Sequence, residues 1–203
     1  MDKKQEFAVK LERTRAFMEA NGLDALMLAR GDNFAWLGCG ANNLVNNAAE
    51  VGVAGFLVTA DDCKLVTNNI EAERMMTEEL DGLGLGAPVS FPWYEPGRRL
   101  DFLADLTSGK DVLAADDNNP GWDSLPVNFN AIRFELLDPE LSRYRALGIE
   151  VAQAVESAAR SVDKGMTEQA VAALMQQELQ TRGATPIVLL VAAIAAVAPQ
   201  LEA

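Results

Sequence analysis

Apolar positions recur along the chain with two different periods, and the change from one to the other lays out its elements. Phe7, Leu11, Thr14 and Met18, joined by Ala8 and Phe17, fall on one side of a helical repeat. Asn21-Gly22 closes that helix, because glycine tolerates positive φ. Residues 23–29 are almost continuously apolar, as a strand covered on both faces requires, and Gly31-Asp32-Asn33 ends the run. A helix followed by a buried strand is an α/β beginning. Residues 34–37 suit one helical turn, and residues 38–47, rich in Gly and Asn, suit a loop. Residues 54–59 and 64–67 read as two strands of a hairpin turning at 60–63. A helix is expected at 71–80, then a strand at 89–94 that Pro92 confines to a sheet edge. Leu100, Leu103 and Leu106 mark another helix, residues 112–115 a short strand, and residues 132–136 a last strand.

Beyond Leu137 the rhythm lengthens. Asp138-Pro139 is a strong helix start: the carboxylate caps free N–H groups, and proline at the first helical position has none to leave unpaired. Leu141, Tyr144, Gly148, Val151, Val155, Ala158 and Val162 then lie along one side of a helix of about six turns, a side that must be covered. Asp163-Lys164-Gly165 ends it and Thr167 caps a second helix, striped by Val171, Leu174, Met175 and Leu179 as far as Gly183. An apolar strand is expected at 187–191. The change of rhythm puts a domain boundary near Leu137, giving domains 1–137 and 138–203.

Composition narrows the class. With 49% hydrophobic and 23% charged residues in 203, the chain is globular. A formal charge of −13 argues against nucleic acid or an anionic membrane as a partner. Cys39 and Cys63, without metal-type spacing, read as reduced and at least half-buried, and the N-terminus lacks the apolar core of a secretion signal. Both point to the cytoplasm. The most apolar run, 187–197, is shorter than the ~20 residues a bilayer span needs.

Candidate chemistry is sparse. Gly82-Leu83-Gly84-Leu85-Gly86 follows a helix and precedes Pro88, the wrong context for a dinucleotide loop, and reads as a connector. Asp61-Asp62 and Asp116-Asp117, the latter beside Asn118-Asn119, lack calcium-loop spacing and read as solvated turns. Trp93, Tyr94, Arg98 and Arg99 gather aromatic and cationic groups, either as a peptide-binding rim or as surface packing. The chain contains no His, so a nucleophilic Ser or Cys would need Lys or another rarer base, and no nucleophile–base constellation is assembled.

The segment Lys164-Gly165-Met166-Thr167-Glu168, a helix, then Arg182-Gly183-Ala184-Thr185-Pro186 resembles the opening of the catalytic domain in the creatinase, prolidase and aminopeptidase P family. The resemblance implies an α/β fold: a creatinase/prolidase N-terminal-type domain with a mixed sheet and flanking helices at 1–137. The helical segment at 138–203 would be the incomplete start of the family's pita-bread catalytic domain, a curved sheet flanked by helices. It further implies hydrolysis of Xaa-Pro peptide bonds by two divalent metal ions (manganese, cobalt or zinc), bound through two Asp, one His and two Glu that lie beyond this segment. No catalytic, cofactor-binding or metal-binding residue is therefore assigned here. The chain is expected to be inactive alone, with a peptide substrate only where a complete catalytic domain exists.

The resemblance also implies a homodimer or higher oligomer. It places the 42–47 loop, with Asn42, Asn43 and Asn46, near the mouth of an active site, often the neighbouring subunit's. Its plainer reading is a helix-to-strand turn. Together with Trp93, Tyr94 and Arg98 these asparagines are the candidate substrate rim. A non-catalytic self-association or interaction module is the alternative reading of the whole chain. The Ala, Val and Ile run at 192–198 fits no polar turn, and the residues after about Ala193 are expected to be foreign to the family, from a frameshift, an early stop or an engineered junction, with a naturally short paralogue as the alternative.

Overall fold

The computed structural model describes residues 1–192. It divides into two compact units, Met1–Pro139 and Glu140–Ala203. The first opens with helix α1 (Lys3–Ala20), which starts on a reciprocal cap: the Asp2 carboxylate accepts from Gln5 N at 2.7 Å and the Gln5 side chain accepts from Asp2 N at 3.0 Å. Strand β1 (Ala25–Arg30) runs directly into helix α2 (Gly31–Leu37), and β2 (Val51–Thr59) turns back through β3 (Cys63–Asn68). A short helix α3 (Ala72–Arg74) continues as a π-helical turn (Met75–Glu79). After it come β4 (Val89–Phe91), α4 (Arg98–Leu106), β5 (Leu113–Ala115), β6 (Asp123–Ser124) and a 3₁₀ segment (Val127–Arg133).

The strands form one mixed sheet in the order β4-β3-β2-β1-β5-β6. Only β2 runs against the others, so β1, β3, β4, β5 and β6 all point the same way. The continuous apolar run of β1 follows from its central place. Leu26 and Leu28 pack on one face with Phe7, Phe34 and Phe56, while Ala25, Met27 and Ala29 pack on the other with Leu57, Phe91 and Leu103 of α4. Phe34 and Phe56 stack at 4.6 Å between centroids and are fully buried, each worth about 1.5–3 kcal/mol of transfer from water.

The strand expected at 132–136 does not form. Pro126 starts a 3₁₀ turn instead, which carries Phe129 into the core edge-on to Phe17 (5.1 Å) and near Trp36 (6.1 Å). Phe134 and Leu136 are left exposed, and the place beside β5 belongs to the two polar residues of β6.

In the second unit, α5 (Asp138–Arg160) and α6 (Glu168–Thr181) are the only helices among the described residues. Thr167 caps α6 by accepting from Ala170 N at 3.2 Å. Ala154 and Ala158, with Val151, pack against Met175, Leu179 and Ala184, the small alanines letting the helices approach. The apolar stripe expected to be covered is covered only in part: Leu141, Val171 and Leu174 are half-buried, while Tyr144, Val155 and Val162 are exposed. Residues 187–191 form no strand, because none of the described residues pairs with them, and Ile187, Val188 and Leu190 are exposed. The expectation for the 192–198 run lies almost wholly outside the described residues.

Candidate functional site at the carboxyl edge of the sheet

Because β1, β3, β4 and β5 are parallel, their carboxyl ends, and the loops that follow, gather at one edge of the sheet, where ligands characteristically bind in open α/β folds. The start of β2 lies at the same edge. There the β1–β2 ladder is irregular, its register shifting between Leu28 and Arg30. Asn43, fully buried, fills the irregularity: its amide nitrogen donates to Ala29 O at 2.9 Å and Ala54 O at 2.6 Å, and its own carbonyl accepts from Val53 N at 2.9 Å. Gly52 must be glycine, since a Cβ there would lie 2.2 Å from Asn43 Cγ.

Beside this wedge a cleft of about 330 Å³ opens, floored by Ala29, Val53, Val66 and Phe91 and flanked by Arg99 and Asp117. Asp116 and Asp117 follow β5 directly. They are not the solvated turn expected from the sequence. One Asp116 oxygen accepts from Ala29 N (2.7 Å) and Arg30 N (3.1 Å), the other from the Asn33 amide (2.8 Å), so the carboxylate ties β5 to the junction of β1 and α2. Burial pushes the Asp116 carboxyl above its ordinary range; those hydrogen bonds oppose the rise and the neighbouring Asp117 charge adds to it. The Asp117 side chain is 4% exposed and pairs with the Arg99 guanidinium, which also donates to Asn119 Oδ1. Asp117 Oδ1 and Asn119 Nδ2 are buried without a hydrogen-bond partner.

The six expected rim residues share this edge but do not converge. Asn42 and Asn46 are exposed and close tight local turns, their side-chain oxygens accepting from Leu44 N (2.9 Å) and Ala48 N (3.0 Å). Asn43 is the buried wedge. Trp93 and Tyr94, 58% and 64% exposed, meet edge-to-face at 6.0 Å after β4. Arg98 is exposed, pairs with Asp101 at 3.4 Å and lies 5.7 Å over the Phe102 ring. Among the described residues no hydrogen bond, ion pair or ring contact joins the asparagine loop to this group. The cleft belongs instead to Arg99, one position on, and to Asp117. Arg99 had stood in the sequence within the aromatic and cationic group at 93–99; the signal for Asp117 was a pair of adjacent Asp just after a short apolar strand, visible but indistinguishable from a turn.

A pair of divalent ions finds no donor set here. Among the described residues no group of three or more His, Cys, Asp or Glu could hold a metal, and the sequence has no His. Asp116 is committed to backbone and amide donors and Asp117 to Arg99, so the residues present do not fit a two-metal centre.

A six-stranded mixed sheet covered by helices on both faces, with a polar carboxyl edge, defines an α/β domain. Residues 10–181 match the model of the Creatinase/Prolidase N-terminal domain, and the chain belongs to that family. Solved structures with the same fold include the recombinant prolidase from Thermococcus sibiricus (14% identity, TM-score 0.66, covering 89% of this chain and 50% of that one). The Xaa-Pro dipeptidase from Bacillus anthracis is similar (16%, 0.62, 87% and 49%), as is the prolidase from Pyrococcus horikoshii OT3 (20%, 0.61, 85% and 48%). The chain thus spans about half the length of these structures. No curated protein matches it by sequence. No helix among the described residues is long and apolar enough to cross a membrane.

Proposed function

We propose that this chain is the N-terminal part of a cytoplasmic Xaa-Pro peptidase of the prolidase and aminopeptidase P type, and that the 203-residue polypeptide is itself not catalytic. The observation that carries the reading is the family match over residues 10–181 in a chain half as long as the prolidases sharing its fold. Metal-assisted hydrolysis needs clustered carboxylates and an imidazole to hold two ions ~3.5–4 Å apart. This chain offers no imidazole and no such cluster among its described residues. The manganese, cobalt or zinc ions and the peptide substrate therefore belong to a complete catalytic domain. The contribution of this part is architectural, with Asn42, Asn46, Trp93, Tyr94 and Arg98 as the exposed positions able to border a substrate and Asn43 holding their loop in place.

The test is an assay of the homogeneous chain on Xaa-Pro dipeptides with added manganese or cobalt, paired with calorimetric metal titration. Neither turnover nor stoichiometric binding of two ions is expected; robust metal-dependent turnover would reverse the reading.

A second reading, a self-association or interaction module, is favoured by the exposed Tyr144, Ile149 and Val155 of α5 and Val162 just beyond its end. Sedimentation should then show a dimer or larger species, and a monomer at every concentration would remove it.

A further inference from the structure

We infer that the carboxyl-edge cleft is a binding site for a short branched acyl group, a small hydrocarbon body that carries a ketone or carboxylate oxygen. The cleft, at about 330 Å³, lies at the small end of the range of ligand sites, and its floor is hydrocarbon: Ala29, Val53, Val66 and Phe91. The side-chain hydrogen-bonding groups left open in its lining are donors. Asn68 stands on the same face of β3 as Val66. Its Oδ1 accepts from Ile70 N and from Glu71 N, each at 3.0 Å, which fixes the orientation of the amide. Asn68 Nδ2 is then left without a hydrogen-bond partner among the described residues. Arg99 spends one N–H on Asn119 Oδ1 and one on Asp117 Oδ2; its side chain is 23% exposed and the rest of the fork is open.

The acceptors around the cleft are closed by contrast. Asp117 Oδ2 holds Arg99, and Asp117 Oδ1 is sealed from solvent, out of reach of anything in the cleft. The carbonyls of Ala29 and Ala54 take the Asn43 amide, and that of Val53 takes the Thr67 hydroxyl at 3.0 Å. A head group made only of N–H donors finds none of these oxygens free, and it covers donors that lose their water without replacement. An acyl oxygen answers them. The lining selects the oxygen and not its charge, because Arg99 is already paired with Asp117 and a ketone and a carboxylate present the same acceptor.

Three probes share one isobutyl body and differ in the head: methyl isobutyl ketone carries an uncharged acyl oxygen, isovalerate a charged one, and isoamylamine N–H donors only. Titrated into the ¹⁵N-labelled chain, at least one acyl probe should shift the amides of Gly52, Val53, Val66 and Phe91 saturably, and the tighter of the two identifies the form of acyl group the cleft takes. Isoamylamine should bind at least about tenfold more weakly than that probe. Asn68→Asp keeps an oxygen to accept from Ile70 N and Glu71 N but puts a second acceptor where Nδ2 was. It should weaken the acyl probe at least about threefold, the loss of one hydrogen bond, while the spectrum stays dispersed. The inference fails if neither acyl probe saturates at tens of millimolar, if isoamylamine binds as well as they do, or if a folded Asn68→Asp chain binds the acyl probe unchanged.

Discussion

Replacing Asn43 by alanine removes the one side chain that joins Ala29 O to Ala54 O across the irregular stretch of the β1–β2 ladder. Both carbonyls would lose their amide donor inside a fully buried site. Two net hydrogen bonds at ~1 kcal/mol each, plus the cost of leaving acceptors unsatisfied, less the relief of removing the unpartnered Asn43 Oδ1, come to about 2–4 kcal/mol of destabilisation. Trp36, Trp93 and Trp122 all lie in the first unit, so tryptophan fluorescence in urea reads that unit alone. The midpoint should fall by roughly 1–2 M for a small-domain urea dependence. Asn42→Ala and Asn46→Ala, which remove only exposed local turns, should each cost less than about 1 kcal/mol. If Asn43→Ala costs under about 0.5 kcal/mol, or no more than its two neighbours, the wedge is not what holds the loop.

Three further outcomes test other parts of the account. Asp116 has a raised folded-state pKa, so the native state binds the proton more tightly than the unfolded chain. Relative to Asp116→Asn, wild-type stability should therefore rise as pH falls through the folded pKa toward about 3.8, and urea midpoints of the two chains at stepped pH check the sign. Gly55→Ala places a Cβ 2.4 Å from Met27 Cε and 2.9 Å from Ala29 Cβ; overpacking of about 1–3 kcal/mol should appear in the same fluorescence titration. Burial pushes the Cys63 thiol up to about 12, and Cys39 is buried too, so a thiol reagent at pH 8 should label the native chain far more slowly than the urea-unfolded one.

Periodicity alone located α1, β1, the β2–β3 hairpin, α4, α5 and α6, because each carries its burial pattern within its own residues. The run at 23–29 read as a strand covered on both faces and Thr167 as a helix cap; β1 is a central strand and Thr167 caps α6. Local chemistry also made the family visible, through the turn at 164–168 and the segment after α6. What it could not yield were features that depend on a distant neighbour. Two polar residues became β6 because β5 offered an open edge, and 132–136 lost its strand because Phe129 was needed between Phe17 and Trp36. Residues 187–191 look like a strand, but a strand needs a partner that none of the described residues supplies. The site divided in the same way. Asn42, Asn43 and Asn46 are equivalent in sequence, and only the irregular ladder made Asn43 a buried wedge. Asp116 and Asp117 read as a solvated turn because nothing within four residues reveals that β1, α2 and Arg99 close over them. Burial of a short polar segment is decided by what the rest of the chain brings to it, a choice made when the sheet assembles and not before.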